Sequence, residues 1–267
     1  MQPFARLRYL NWERLDKTGS GDHLRGDIMR SILITTLFMA TQATAAWSDY
    51  EEVRELSLGT GGIETLTIDN GAGSVDITGV SGTDEISVTA TVLVPGKNED
   101  KARRKIESSL VLTLEQVRET AVLKAYFKNG GGLFSFGDSP SVRLEVRMPE
   151  QLRLEIDDGS GSIDITGVRG SIVVDDGSGS LTMTDVGGDV EIDDGSGSIS
   201  VQGVGGDISI NDGSGGIRVR DVAGSVIVDD GSGSIDVSDV EKDLIIVDDG
   251  SGGLDFSNIS GRVENNS

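Results

Sequence analysis

Asp-Gly-Ser-Gly recurs with its aspartate at Asp158, Asp176, Asp194, Asp212, Asp230 and Asp249, spaced by 18 residues four times and 19 once. Immediately before these stand Asp157, Asp175, Asp193, Asn211, Asp229 and Asp248. If the segments carrying these turns stack in register, eleven carboxylates line one edge, at steps of roughly 5 Å. Neighbouring charges at that distance repel by about 1 kcal/mol in water, and by more when buried. Something must offset the repulsion. Calcium is the cation such an edge would accept, because carboxylate and turn carbonyl oxygens are hard ligands. Its candidate ligands are Asp158, Asp176, Asp194, Asp212, Asp230 and Asp249. The known nine-residue calcium-binding repeat shares the half-step found here but not the register. Here the aspartate pair appears only in alternate halves. The plainer use, and the favoured one, is that each aspartate accepts turn N–H groups while glycines supply positive φ. On that reading no cofactor is required.

A second constellation is Arg218, Asp236 and Ser200, with Arg220 alongside. It has the residue types of a polysaccharide-cleaving site, in which an acidic cluster and an arginine act on a sugar. An ordinary cross-strand ion pair on a solvated face accounts for it more simply. The Gly-Ser-Gly turns lack a following helix and a P-loop lysine, so they are not phosphate cradles.

Composition removes much of the remaining chemistry. The 267 residues include 45 Asp and Glu against 23 Lys and Arg, a net charge of −22, with 38 glycines and no cysteine. Nucleic-acid binding needs clustered basic residues, and none is visible. Disulfides, thiolate metal sites and thiol catalysis are excluded. The one histidine, His23, falls in a leader. Met29-Arg30 followed by Ser31 to Ala40 and Ala43-Thr44-Ala45 reads as a signal peptide over 29–45, too short an apolar run to span a membrane. Residues 1–28 fit neither signal nor repeats, and a true start at Met29 is expected. Cleavage near Ala45 removes six basic and four acidic groups, taking the charge to −24. The mature chain then has no histidine for a Ser-His-Asp triad.

The elements that position the aspartates follow from the same period. Within each 18 residues lies a half-step of nine, Gly-Ser-apolar-x-apolar, the alternation of a short strand with one buried face. Stacking gives aliphatic columns, among them Ile163, Leu181, Ile199, Ile217, Ile235, Leu254 and Ile172, Val190, Ile208, Val226, Leu244. Val168, Val186, Val204, Val222, Val240 and Ile259 form a column in one turn. Such self-similarity specifies a solenoid. The fold class is therefore all-β, a parallel β-solenoid or β-helix with 18-residue coils over 151–267. Leu244 to Asp248 carries one residue more than Val226 to Asp229, which predicts a bulge.

Residues 46–150 read as the same idea in longer, irregular coils that cap the N-terminal end. Asp69 to Val80 nearly duplicates Asp157 to Val168. A strand over Glu85–Val94, one short helix around Asn98–Ser108, and strands over Leu110–Leu114, Ala121–Phe127 and Val142–Met148 complete the cap. Gly130 to Gly132 is a loop, and Leu133 to Phe136 reads as a strand packed on the cap, the alternative being an exposed apolar tip. The polar tail Glu264 to Ser267 is expected to block end-to-end stacking, leaving a monomer.

Three features together resemble a bacterial family of exported β-helical proteins of unknown function labelled "putative adhesin". They are the Ile68 to Val80 segment, the helical insertion, and Met148-Pro149 leading through Leu152 to Ile156 into the Gly-Ser-Ile repeats. The resemblance spans roughly Val53 to Val263. It implies a right-handed β-helix in a cell-envelope setting, and carries no catalytic signature. The expectation is an exported, non-enzymatic β-solenoid of the bacterial envelope, in the periplasm or at the cell surface or secreted. It would act as an adhesin or a structural and binding scaffold for an envelope or surface polysaccharide or protein. No membrane insertion is expected after signal cleavage. The alternative is a polysaccharide-active β-helix enzyme.

Overall fold

The computed structural model describes residues 49–96, 98–128 and 139–267. The signal-peptide and start-site expectations, and the strand expected over Leu133 to Phe136, lie outside the described residues. In the N-terminal half the strands are β1 (Tyr50–Gly59), β2 (Thr65–Asn70), β3 (Val75–Val80) and β4 (Glu85–Val94). Helix α1 (Glu99–Ser109) follows, then β5 (Leu110–Val117), β6 (Thr120–Phe127) and β7 (Ser141–Pro149). The repeats supply β8 (Arg153–Asp158), β9 (Gly161–Thr166), β10 (Ile172–Asp176), β11 (Gly179–Val186), β12 (Val190–Asp194) and β13 (Gly197–Val204). They continue through β14 (Ile208–Asp212), β15 (Gly215–Val222), β16 (Val226–Asp230), β17 (Gly233–Val240), β18 (Leu244–Asp248), β19 (Gly253–Ile259) and β20 (Val263–Asn265).

These strands form two ten-stranded sheets. Sheet A runs β1-β4-β7-β3-β9-β11-β13-β15-β17-β19, and sheet B runs β20-β18-β16-β14-β12-β10-β8-β2-β6-β5. Successive regular coils pair in parallel with an 18-residue offset, as in Leu181↔Ile199 and Ile172↔Val190. The glycine-flanked apolar-x-apolar pattern turns one aliphatic side chain inward at every second position, and the facing columns make one thin core between the sheets. Val168, Val186, Val204, Val222 and Val240 are buried in the turn on one side, closing that edge. The extra residue near the C-terminus is accommodated as a bulge between Val228 and Asp229 of the β16–β18 pairing, leaving Val247 exposed.

The early near-duplicate belongs to the stack itself. β3 lies directly on β9, with Val75↔Ile163, and β2 on β8, with Ile68↔Ile156. Residues between them leave the stack and return as its next layers, with β7 and β6 parallel to β3 and β2. The outermost strands depart from the expected irregular coils. β4, β1 and β5 run antiparallel to their neighbours. The β5–β6 reversal needs only Arg118 and Glu119, with Arg118 at φ 58°. Such a tight connection is open to antiparallel strands and not to parallel ones. Helix α1 begins where Asn98 caps it, its side chain accepting from Lys101 N–H at 2.9 Å. Its Ala102 and Ile106 pack on Val92 and Val94.

At the other end, the first residues of the polar tail join the stack. Val263 to Asn265 pairs on β18 and becomes its last layer, because its backbone groups find partners there.

Candidate functional site

The aspartate turns sit where the strands of sheet B end. Two consecutive strand residues point to opposite faces, and this divides the acidic edge in two. The first of each pair turns outward: Asp175, Asn211, Asp229 and Asp248 are exposed, and Asp157 and Asp193 half-buried. The second turns inward. Asp158, Asp176, Asp194, Asp212 and Asp230 are each at most 2% exposed. The eleven carboxylates therefore do not share one edge. Among the described residues no group of three or more acidic or histidine side chains converges on a point where a metal ion could sit.

Four of the five inward aspartates close their own turns. Oδ1 of Asp176, Asp194, Asp212 and Asp230 accepts the backbone N–H of the serine two residues on, at 3.0 Å in every case. The column begins one coil earlier with Asn70, whose Nδ2 donates to Asp158 Oδ1 at 2.7 Å. The other carboxylate oxygen, Oδ2, lies buried with no hydrogen-bond partner at all five positions. Burial pushes the Asp158 carboxyl up to about 7, and Asp194 and Asp212 up to about 6. Burial raises Asp176 and Asp230 as well. In the last coil the bulge shifts this role: Asp248 Oδ1 accepts Gly250 N–H at 2.9 Å, and Asp249 is half-buried outside the inward column.

Close stacking of the turns demands glycine at one place above all. Gly179, Gly197, Gly215 and Gly233 have φ between +152° and +156°. A Cβ on any of them would overlap the carbonyl oxygen of the glycine one coil earlier.

The outer face of sheet A carries two polar columns. One is Asp164, Thr182, Ser200, Arg218, Asp236 and Asp255; the other is Thr166, Thr184, Gln202, Arg220, Ser238 and Ser257. Thr166 and Thr184 hydroxyls meet at 3.0 Å. Asp236 Oδ2 accepts from Arg220 at 3.1 Å and from Arg218 Nε at 3.4 Å. Hydrogen bonds from Arg220 and then Arg218 hold the Asp236 carboxyl below the usual range. All three side chains are 40% or more exposed, so the trio is a solvated ion pair.

The opposite turn shows a feature that sequence reasoning missed. Gly167, Asp185, Gly203, Asp221, Asp239 and Asn258 stack one per coil, all at φ between +56° and +74°. The signal was available, since Gly, Asp and Asn are the residues that tolerate this region. Gln202 Nε2 donates to Asp221 at 3.0 Å and Asn258 Nδ2 to Asp239 at 2.8 Å. Beside this column runs an open groove of about 610 Å³, lined by Arg169, Gly187, Gly205, Asp221, Asp239 and Glu241 among others.

Residues 63–257 match a known family model. The chain belongs to the Toastrack DUF4097 family. Solved structures similar to this Toastrack chain include a "putative lipid binding protein" from Parabacteroides distasonis, 18% identical with a TM-score of 0.45, covering 80% of this chain and 94% of the other. A "putative cell adhesion protein" from Clostridium sporogenes is 14% identical, TM-score 0.35, covering 82% and 99%. A "putative adhesin" from Bacteroides fragilis is 11% identical, TM-score 0.40, covering 82% and 98%. No functionally curated protein matches the chain. No described helix of this Toastrack chain is long and apolar enough to cross a membrane.

Proposed function

We propose that this Toastrack protein is an exported, non-enzymatic binding scaffold of the bacterial envelope, whose contact surface is the outer face of sheet A. The observation that supports this reading is the pair of in-register polar columns on that face. Hydroxyl, amide, carboxylate and guanidinium groups are held one per coil on strands fixed by parallel pairing on both sides. Coil spacing sets their repeat at roughly 5 Å. That repeat suits an extended polysaccharide or protein segment lying along the solenoid axis, held by many weak polar contacts. A catalytic acid, base or nucleophile is usually set apart by burial and a specific charged partner in a cleft. Here the arginines and the aspartate of the strongest candidate cluster are solvated and already paired.

Export is tested by protease and antibody accessibility of the chain on intact cells and after the envelope is opened. Digestion on intact cells supports a surface scaffold, and digestion only after opening supports a periplasmic one. Protection in both, with release only on cell lysis, would overturn export and the envelope role with it. Binding is tested by retention of the purified protein on cell-wall and capsular polysaccharides. Arg218→Ala/Arg220→Ala/Thr182→Ala should release it if the outer face of sheet A is the contact surface.

A further inference from the structure

We propose that the inward aspartates form a buried carboxylic-acid ladder, in which protons shared between successive coils occupy the Oδ2 atoms of Asp158, Asp176, Asp194, Asp212 and Asp230. Four observations carry it. The five side chains stack in strict register, through Asp158↔Asp176, Asp176↔Asp194, Asp194↔Asp212 and Asp212↔Asp230. Each is at most 2% exposed, and each has one oxygen bound to a turn or to Asn70 and one buried oxygen with no partner. A buried acceptor left unpaired is unfavourable, and a buried unpaired charge far more so.

Among the described residues, none of the groups acting on the column is a cation. Groups acting on the column are Asp157, Asp175, Asp193 and Asp229 from the outward positions of the same strands, Asp248 and Asp249 from the last coil, and neutral Asn70 from β2. Across the turn the strands of sheet A begin with Gly161, Gly179, Gly197, Gly215 and Gly233. Finally, the chain itself shows what suits the position. The first rung is the amide Asn70, and its N–H donates along the stack to Asp158 Oδ1. A protonated carboxyl can do the same: its O–H donates to an oxygen of the next rung, whose carboxyl or carboxylate accepts. No electron moves and no bond other than O–H is involved.

Raised carboxyl values are the consequence, and they set the sign. A group whose folded value lies above its unfolded value, near 4, stabilises fully below that value and loses its contribution as pH rises through the folded one. The window therefore runs from about 4 up to about 6 for Asp194 and Asp212, and up to about 7 for Asp158. Between pH 5 and pH 8 each group titrating near 6 should raise the unfolding constant about tenfold more than an exposed carboxyl does.

The test is urea unfolding of the full chain at pH 5 and pH 8 in high salt, which screens the general repulsion of an acidic surface but not the buried column. Wild type should be markedly less stable at pH 8. Asp194→Asn/Asp212→Asn keeps the turn acceptors and should lose about a hundredfold of that pH effect, becoming more stable than wild type at pH 8. The control Asp164→Asn/Asp255→Asn, on the outer face of sheet A and away from the column, should keep the wild-type slope. A wild-type slope in the inward variant would overturn the ladder. So would stabilisation by millimolar calcium at pH 8 that the inward variant lacks, since a cation would then fill the column. Should the inward variant fail to fold, infrared spectra of the wild type near pH 6 decide. Protonated carboxyl bands in the folded protein that vanish on unfolding support the proposal, and carboxylate bands alone refute it.

Discussion

Gly215 and Gly216 are neighbours at the start of β15, yet the stack treats them oppositely. Gly215 has φ +153°, and a Cβ there would overlap the carbonyl oxygen of Gly197 in the coil before. Gly216 has no such constraint: its Cβ would meet only Ser234 Oγ, at 3.6 Å, and its stacked neighbours are Ser198 and Ser234. In Gly215→Ala the two coils must separate locally. That loosens the bonds from Gly213 N–H to Asp194 and from Gly197 N–H to Ser214, at 2.8 and 2.9 Å, each contributing about 1 kcal/mol. The backbone strain of a side chain at this φ adds about 1–3 kcal/mol. The expected loss is about 3–5 kcal/mol, and for a chain of this size roughly 10 °C in melting temperature. Gly216→Ala should instead lie within about 0.5 kcal/mol of wild type or gain slightly, because alanine restricts the unfolded chain. Paired urea and thermal melts of the two variants, followed by circular dichroism, measure the difference. Equal stability of the two would refute the argument that backbone contact between coils imposes glycine at this column.

Other consequences concern the core, the outer face and the acidic turns. Ile210→Ala removes a side chain buried between the sheets and should lower stability by about 2–5 kcal/mol in denaturant melts. Asp236→Ala should change stability by less than about 1 kcal/mol, since its arginine partners are solvated. Arg218→Ala/Arg220→Ala should leave polysaccharide chain length unchanged when wild type and variant are incubated with the same substrates, and a depolymerising activity lost in the variant would establish the enzyme alternative. Melting temperatures in chelator and in millimolar calcium should coincide, because no three acidic side chains converge among the described residues. A calcium-dependent rise that survives Asp194→Asn/Asp212→Asn would place the cation on the outward aspartates.

Most of the solenoid could be read from the chain because its core repeats. Ile163 and Leu181 occupy equivalent positions 18 residues apart, and in-register parallel pairing makes equivalence in sequence equivalence in space. The bulge beyond Val228 was visible as one surplus residue. Parity along the strand also held the facing of the acidic column. Ile172, Val174 and Asp176 alternate inward together, so Asp176 follows the core and Asp175 does not. Grouping the aspartates by their shared turn concealed this. The cap was less legible, since pairing between distant segments leaves no local mark. The β1–β4 ribbon joins residues through partners such as Leu56↔Val88, with β2 and β3 intervening. The β5–β6 reversal rests on Arg118 in a left-handed conformation, where a glycine or asparagine would have announced the turn.

The placement of β3 on β9 bears on the order in which the molecule assembles. Regular coils join partners 18 residues apart, whereas the N-terminal coil meets the next one across 88 residues. Closing the longer loop costs about 1.4 kcal/mol more in chain entropy. Propagation along the regular coils is thus the faster process, and the first coil must wait for a neighbour synthesised long after it. During chain synthesis β2 and β3 therefore complete their pairing late, each with one edge open until β8 and β9 arrive.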